Sequence, residues 1–344
     1  MVSLFNMDKV LPVGKLPSEL LAQIIGQAPL SDPRVVLGPG IGLDCAVVDM
    51  GTTLLVFKSD PITFATDEIG WYAVQINAND IATTGAVPRW MLATLLLPEG
   101  STTPQDVLRM GDQVFSACRE LGISLIGGHT EVTHGLVHPI LSGVLVGEVP
   151  RGQLVTPRGA LVGNQILLTK GVPIEATSIL AREFPGRLKN ILSAEEMKQA
   201  ADYLYHPGIS VVKDARVAVS AGRITAMHDP TEGGLVSALW ELAEASGRAL
   251  EVDLAAVPVP ALSQRICQHL GLNPMATIAS GALLLTCPPD DSAQICRALQ
   301  VENIPCAIIG VVREGPAVVY HSVNHTRTTI NKPLRDEIAK VYDH

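Results

Sequence analysis

Asn77-Ala78-Asn79-Asp80-Ile81-Ala82-Thr83-Thr84-Gly85-Ala86 is the stretch whose reading decides the fold. It closes a run from Glu68 in which Ile69, Tyr72, Ala73, Ile76 and Ile81 recur at helical spacing, so Glu68 to Ala86 predicts a helix ended by Gly85 and Pro88. Asn77 and Asp80, three residues apart, share a face of it. A carboxylate buried beside Ile76 and Ile81 is costly unless it is paired or metal-bound. Three amide and acid side chains in four positions therefore read as a site, the alternative being a stripe facing solvent.

Upstream, Gly38-Pro39-Gly40-Ile41-Gly42-Leu43-Asp44 lets backbone approach a ligand and ends in a carboxylate at a strand start. Two β-rich runs follow, Cys45 to Asp49 and Leu54 to Lys58, and Met50-Gly51-Thr52 between them predicts a hairpin. Asp60 then sits at the strand end, before Pro61. Downstream the pattern predicts a strand at Met91 to Leu97, a helix at Pro104 to Leu121, a strand at Ser124 to Ile126 entering Gly127-Gly128-His129-Thr130-Glu131, and a strand at Ile140 to Val149. The turn-rich Pro150 to Gly163 reads as a junction between domains 1–155 and 156–344. In the second half, His228-Asp229-Pro230-Thr231-Glu232-Gly233-Gly234 directly precedes a helix at Gly234 to Ser246, whose first amides would face an anion. Taken singly, each stretch also has a bland reading as a turn, a cap or a core histidine. Together, carboxylates at separate strand ends can hold magnesium ions that neutralise a nucleotide phosphate.

That device suits this composition. The 344 residues are 47% hydrophobic, 17% charged and 4% aromatic, with a formal net charge of -9. No basic stripe is available to displace counterions from a nucleic-acid backbone. Cys45, Cys118, Cys267, Cys287, Cys296 and Cys306 are scattered without a CxxC pair, as reduced thiols of a cytoplasmic protein would be. Met1 to Lys15 lacks a signal core, and no apolar run reaches membrane-spanning length.

In order and spacing, these stretches resemble the PurM-like (AIR synthase-related) superfamily, which includes selenophosphate synthetase, thiamine-monophosphate kinase and HypE. Gly40-Ile41-Gly42-Leu43-Asp44-Cys45-Ala46-Val47-Val48 is similar to its Gly-x-Asp-Asp-Ala-Ala-Val motif, with Leu43 in place of the first Asp. Asn79 to Ala86 is similar to its Asn-Asp-Leu-Ala-x-x-Gly-Ala helix. Asp229-Pro230-Thr231-Glu232-Gly233-Gly234-Leu235 resembles most the Asp-Pro-Thr-Arg-Gly-Gly-Leu of HypE.

The resemblance implies an α+β, two-domain layered fold whose N-terminal domain pairs with its copy in a homodimer with a β-barrel-like core. It also implies ATP and Mg2+ as cofactors. Asp44, Asp60 and Asp80 would be metal ligands, and Asp229 and His228 would orient or deprotonate an acceptor. Gly40, Gly42, Asn79, Gly127, Gly128, His129, Thr130, Glu131, Gly233 and Gly234 would line the nucleotide. The implied activity is phosphoryl transfer to a small-molecule or protein-borne acceptor, with a thiamine-monophosphate-kinase-like enzyme or a non-catalytic ATP-binding maturation partner as alternatives. Three departures point to a different substrate. Glu232 replaces the HypE Arg, His129 and Glu131 replace an Asp and a Lys, and the sequence ends Lys340-Val341-Tyr342-Asp343-His344 where HypE proteins end Pro-Arg-Ile-Cys.

Overall fold

The computed structural model describes residues 10–11, 16–63, 67–323 and 326–342. Most of the Met1 to Lys15 stretch, together with Asp343 and His344, lies outside the described residues. The first half runs α1 (Ser18–Ile25), β1 (Val35–Leu37), β2 (Ala46–Asp49), β3 (Thr53–Ile62), α2 (Ile69–Thr83), β4 (Val87–Pro98), α3 (Pro104–Leu121), β5 (Ser124–Thr133) and β6 (Ile140–Pro150). Its strands form one sheet in the order β1-β2-β3-β6-β4-β5, antiparallel except where β4 meets β5. Two strands are longer than their apolar runs suggest. β3 continues to Ile62 because β6 offers it a full-length partner, pairing Asp60 with Gly143 and Ile62 with Leu141. Asp60 therefore sits within a strand, and the Gly127 to Glu131 motif lies inside β5 rather than after it.

The second half runs β7 (Gln165–Thr169), α4 (Ile174–Glu183), α5 (Pro185–Leu188), α6 (Ala194–Asp202), α7 (Val212–Ala221), β8 (Ala226–His228), α8 (Gly234–Ser246), β9 (Ala249–Val252), α9 (Ala261–Leu270), β10 (Leu284–Cys287), α10 (Pro289–Val301), β11 (Cys306–Arg313), β12 (Val318–Val323), β13 (Thr326–Thr329) and α11 (Ala339–Tyr342). Its sheet order is β13-β12-β9-β11-β7-β10-β8. The β12–β13 hairpin has no strong apolar pattern to announce it, and all four positions of β13 are exposed.

The architecture is α+β with two mixed sheets, but the expected barrel-like core is not formed. Among the described residues β1 bonds only to β2 and β5 only to β4, while β13 and β8 end the second sheet, so both sheets stay open. Closure requires the end strands to pair. β1 has three residues and a break in register, and it lies at the far side of the sheet from the ten-residue β5.

Helix α2 is buried almost all round, with sheet residues on one side and α3 and α7 on others. Two glycines of β6 let it lie against the sheet. A Cβ on Gly147 would stand 2.3 Å from Ile81 Cγ2, and one on Gly143 2.8 Å from Asn77 Nδ2. Polar side chains on so buried a helix need partners, and Asn77 and Asn79 find theirs in backbone on either side, while both amide atoms of the buried Gln75 have no hydrogen-bond partner among the described residues. Asn77 Oδ1 accepts from Asp60 N at 3.0 Å. Asn79 reaches into the second half, donating to Ile209 O and accepting from Val211 N, each at 2.8 Å. Between those two residues, Ser210 O accepts from the buried Lys170 ammonium, which pairs with Asp214 at 3.2 Å. The six cysteines are free thiols, and tertiary structure brings Cys296 and Cys306 to an Sγ–Sγ distance of 3.2 Å.

The flush contact predicts the outcome of a small substitution. Gly147→Ala should destabilise the protein by about 1–3 kcal/mol, because the added methyl overlaps Ile81. Gly152→Ala, with nothing within 4 Å of the added atom, should stay within about 0.5 kcal/mol. Equilibrium urea unfolding of both variants checks this.

Candidate functional site

The inward face of β3 carries the site. Leu54 and Val56 fill the core, and the same alternating face then presents Lys58 and Asp60. Lys58 Nζ lies 2.8 Å from Asp80 Oδ2 on α2 and 3.3 Å from Asp60 Oδ2. Its side chain is only 10% exposed. Burial alone would lower the Lys58 pKa, but Asp80, Asp44 and Asp60 outweigh that and raise it, so the ammonium stays charged. Asp80 is held well above the usual carboxylate range, first by burial and then by the neighbouring Asp229, with Lys58 opposing both. Cys45, at the end of the glycine loop, donates its thiol to Asp80 O at 3.3 Å.

The second half contributes His228 and Asp229 from the end of β8. His228 Nδ1 lies 3.0 Å from Asp229 O, and Nε2 lies 2.9 Å from Glu241 Oε2 on α8. The Glu241 contact is a charge contact rather than an aligned hydrogen bond, since Nε2 has no partner by hydrogen-bond geometry. Burial works against a charged imidazole here. Glu241, Asp44 and Asp229 overcome it and raise the pKa to about 10. Asp229 is shifted upward by burial, against the pull of His228, and its Oδ2 is buried without a hydrogen-bond partner. The structure thus brings Asp44, Asp60, Asp80, His228 and Asp229 into one electrostatic cluster around Lys58. Gly42 packs near α8, where an added Cβ would lie 3.6 Å from Glu241 O, and Gly40 faces Arg158.

Other expected residues lie elsewhere or are already engaged. Both amide atoms of Asn79 are bonded to the backbone of Ile209 and Val211. Gly127, Gly128, His129, Thr130 and Glu131 lie on the exposed edge strand β5, where His129 Nε2 meets Glu131 Oε2 at 3.1 Å. The ladder runs Asp60–Gly143–Ala93–Gly128, so this motif is three strands from Asp60, about 14 Å at ordinary strand spacing. At the start of α8, Gly233 N donates to Asp336 Oδ2 at 2.5 Å and Gly234 N donates to Thr231 O. The anion at this helix start is the chain's own Asp336. A cleft of about 760 Å³ lies beside Asp67, Trp71, Arg109 and Tyr205. It is at the opposite end of α2, and none of the expected residues line it. The expected carboxylates converge elsewhere, around Lys58.

Lys58, Glu241 and Asp336 escaped the sequence reading. Lys58 had a local signal, because it stands two residues before Asp60 on an alternating strand. Glu241 and Asp336 had none, since their partners are distant in sequence. Among the described residues, no three His, Cys, Asp or Glu side chains converge tightly enough to hold a metal as they stand. The donor set nevertheless fits a hard divalent cation. It consists of carboxylate oxygens, one of them buried and unbonded at Asp229.

Residues 42–149 match the family model for the N-terminal domain of AIR synthase related proteins, and residues 162–322 match the model for its C-terminal domain. The chain belongs to this PurM-like, AIR-synthase-related superfamily, and it is similar to its HypE-type hydrogenase maturation factors. It is 31% identical to the carbamoyl dehydratase HypE of Azotobacter vinelandii over 73% of this chain and 72% of that protein. A putative hydrogenase expression/formation protein of Methanocaldococcus jannaschii is 27% identical over 95% of this chain and 97% of its own length. Among solved structures, a hydrogenase maturation protein HypE in complex with ATP shares the fold at TM-score 0.70 and 21% identity, covering 95% of this chain and 97% of that one. A thiamine monophosphate kinase from Aquifex aeolicus shares it at TM-score 0.67 and 20% identity, covering 90% and 96%. No helix among the described residues is long and apolar enough to cross a membrane.

Near the start of α8, Glu175 is buried with its Oε2 3.2 Å from Ser280 N, and burial pushes its carboxyl up to about 7, with Asp336 and Glu232 adding to the shift. An unfolded Glu ionises near 4.5, so burying Glu175 costs little at low pH, and the folded state loses stability as pH rises from 4.5 through 7. Glu175→Gln should remove that loss. Its stability relative to the parent should rise across this window by up to roughly 3 kcal/mol and level off above it, as read by urea unfolding at a series of pH values.

Proposed function

We propose that this chain is an ATP-dependent enzyme of the HypE-like branch that activates an oxygen, amide or carboxylate of its acceptor by phosphoryl transfer. The observation that carries this reading is the cluster of Asp44, Asp60, Asp80 and Asp229 around one buried ammonium, with Asp229 Oδ2 left without a partner. The relatives' printed names support it, because they include a carbamoyl dehydratase and a HypE bound to ATP. In a cytoplasmic protein, magnesium held by Asp44, Asp60 and Asp80 would offset charge on the triphosphate.

The chain's own groups divide the remaining work. His228, kept protonated by its acidic neighbours, serves as a fixed positive charge and not as a base. Asp229, whose raised pKa makes its carboxylate a better proton acceptor, orients or deprotonates the acceptor. Direct phosphorylation of thiamine monophosphate would mark a kinase of that type instead. Nucleotide binding without turnover would mark a maturation partner.

A homodimer completes the reading. β5 presents Ile126 and Val132, 59% and 58% exposed, on an unpaired strand edge, a surface that suits a second copy of the chain. The Gly127 to Glu131 motif would then lie in the shared face.

Titration calorimetry should show ATP binding in the presence of Mg2+, and Asp80→Ala should weaken it by roughly tenfold or more. No binding by the parent protein, or unchanged binding by the variant, would sink the proposal. Light scattering should give a dimer that Ile126→Lys converts to monomer, because a buried unpaired charge at the edge opposes association.

A further inference from the structure

Lys58 occupies the place where the carboxylates would receive a cation. Its ammonium contacts Asp80 and Asp60 at once, and Asp44 acts on it as well. Two of those three carboxylates come from the first half's sheet face and entry loop, and the third from α2. Without a positive charge between them, Asp80 would be left buried beside Asp229, like charge against like. The side chain that prevents this is unbranched and flexible, and it stands on a strand whose next inward residue is Asp60. A mobile ammonium can leave a carboxylate pair by rotating about its own side-chain bonds, whereas the carboxylates are fixed on a strand and a packed helix.

We propose that Lys58 is a displaceable internal counter-cation. It holds the carboxylate cluster together before any ligand binds, is turned out of the cluster when a divalent cation binds, and then contacts a phosphate oxygen of the nucleotide. This rests on the function proposed for the site, but it makes a separate statement about one residue. Lysine and the divalent ion compete for the same oxygens, so removing the lysine helps the metal and harms the nucleotide. A lysine that only contacted phosphate would leave affinity for the metal alone unchanged, and one that only braced the fold would affect neither in opposite senses.

The test measures two affinities on the full chain, Mn2+ alone by calorimetry and Mg-ATP by the same method. Lys58→Met should bind Mn2+ roughly tenfold or more tightly than the parent, because a positive charge a few ångströms from the ion has been removed. Its affinity for Mg-ATP should fall by roughly tenfold. Lys58→Arg, which keeps the charge, should retain the parent's weak Mn2+ binding. Equal or weaker Mn2+ binding by Lys58→Met overturns the proposal. If the parent protein binds no nucleotide while Lys58→Met still gains Mn2+ affinity, the counter-cation stands, but its phosphate contact and the ATP-dependent function both fall.

A measurement on the unmutated protein avoids dependence on the variant's folding. Acetylation of Lys58 by acetic anhydride, read by mass spectrometry, should rise when Mn2+ is added alone and fall again when ATP follows. Labelling that ignores Mn2+ overturns the displacement.

Discussion

The contact between Lys58 Nζ and Asp80 Oδ2 joins the two elements around which the first half is arranged, the long strand β3 and the buried helix α2. Helix α2 has sheet on one side and helices on others, so its polar residues cannot turn to water. Three of them are engaged within the protein instead. Asn77 ties the helix to β3, Asn79 ties it to the second half, and Asp80 faces the lysine. A buried ion pair is a poor source of stability, since desolvation offsets most of its Coulomb energy. It is better understood as what makes an acidic cluster tolerable in a folded chain before any ligand arrives.

That arrangement shows how a protein of net charge -9 gathers positive charge locally among its carboxylates. The local potential is set by a few buried groups and not by the surface. His228 and Lys58 keep their protons because carboxylates surround them, and burial pushes Asp80 and Asp229 upward, with Asp229 adding to the shift of Asp80 and Asp44 to that of Asp229.

The start of α8 shows the opposite economy of charge. Helix-start amides are suited to a ligand anion, and the Gly233-Gly234 pair leaves them accessible from the sequence's point of view. In the folded chain a carboxylate from the C-terminal segment already sits there. The same segment donates Glu337 N to Ala276 O, and Trp240 Nε1 bonds to Ile330 O just before it, so Asp336 is held by a strap with several anchors. The anion-binding capacity of this helix is spent within the fold.

Local pattern determined a good deal. Pro104 to Leu121 was legible as a helix because its capping box at Thr103 and Asp106 and its closing Gly122 are neighbours in sequence. The Asn77 to Asp80 stretch stood out because polar residues at apolar spacing conflict with burial. Asp44, Asp60, Asp80 and Asp229 were each named from such local signals, and the superfamily followed from their order. Tertiary structure alone decided the rest. Whether sheets close depends on which strand ends meet, and β1 and β5 do not. Asp336 meets Gly233 across 103 residues, and Asn79 reaches Ile209 across 130. Lys58 shows the boundary between the two. The alternation of β3 places it on the inward face, but only the packing of α2 against β3 and β6 puts Asp80 within reach of its ammonium.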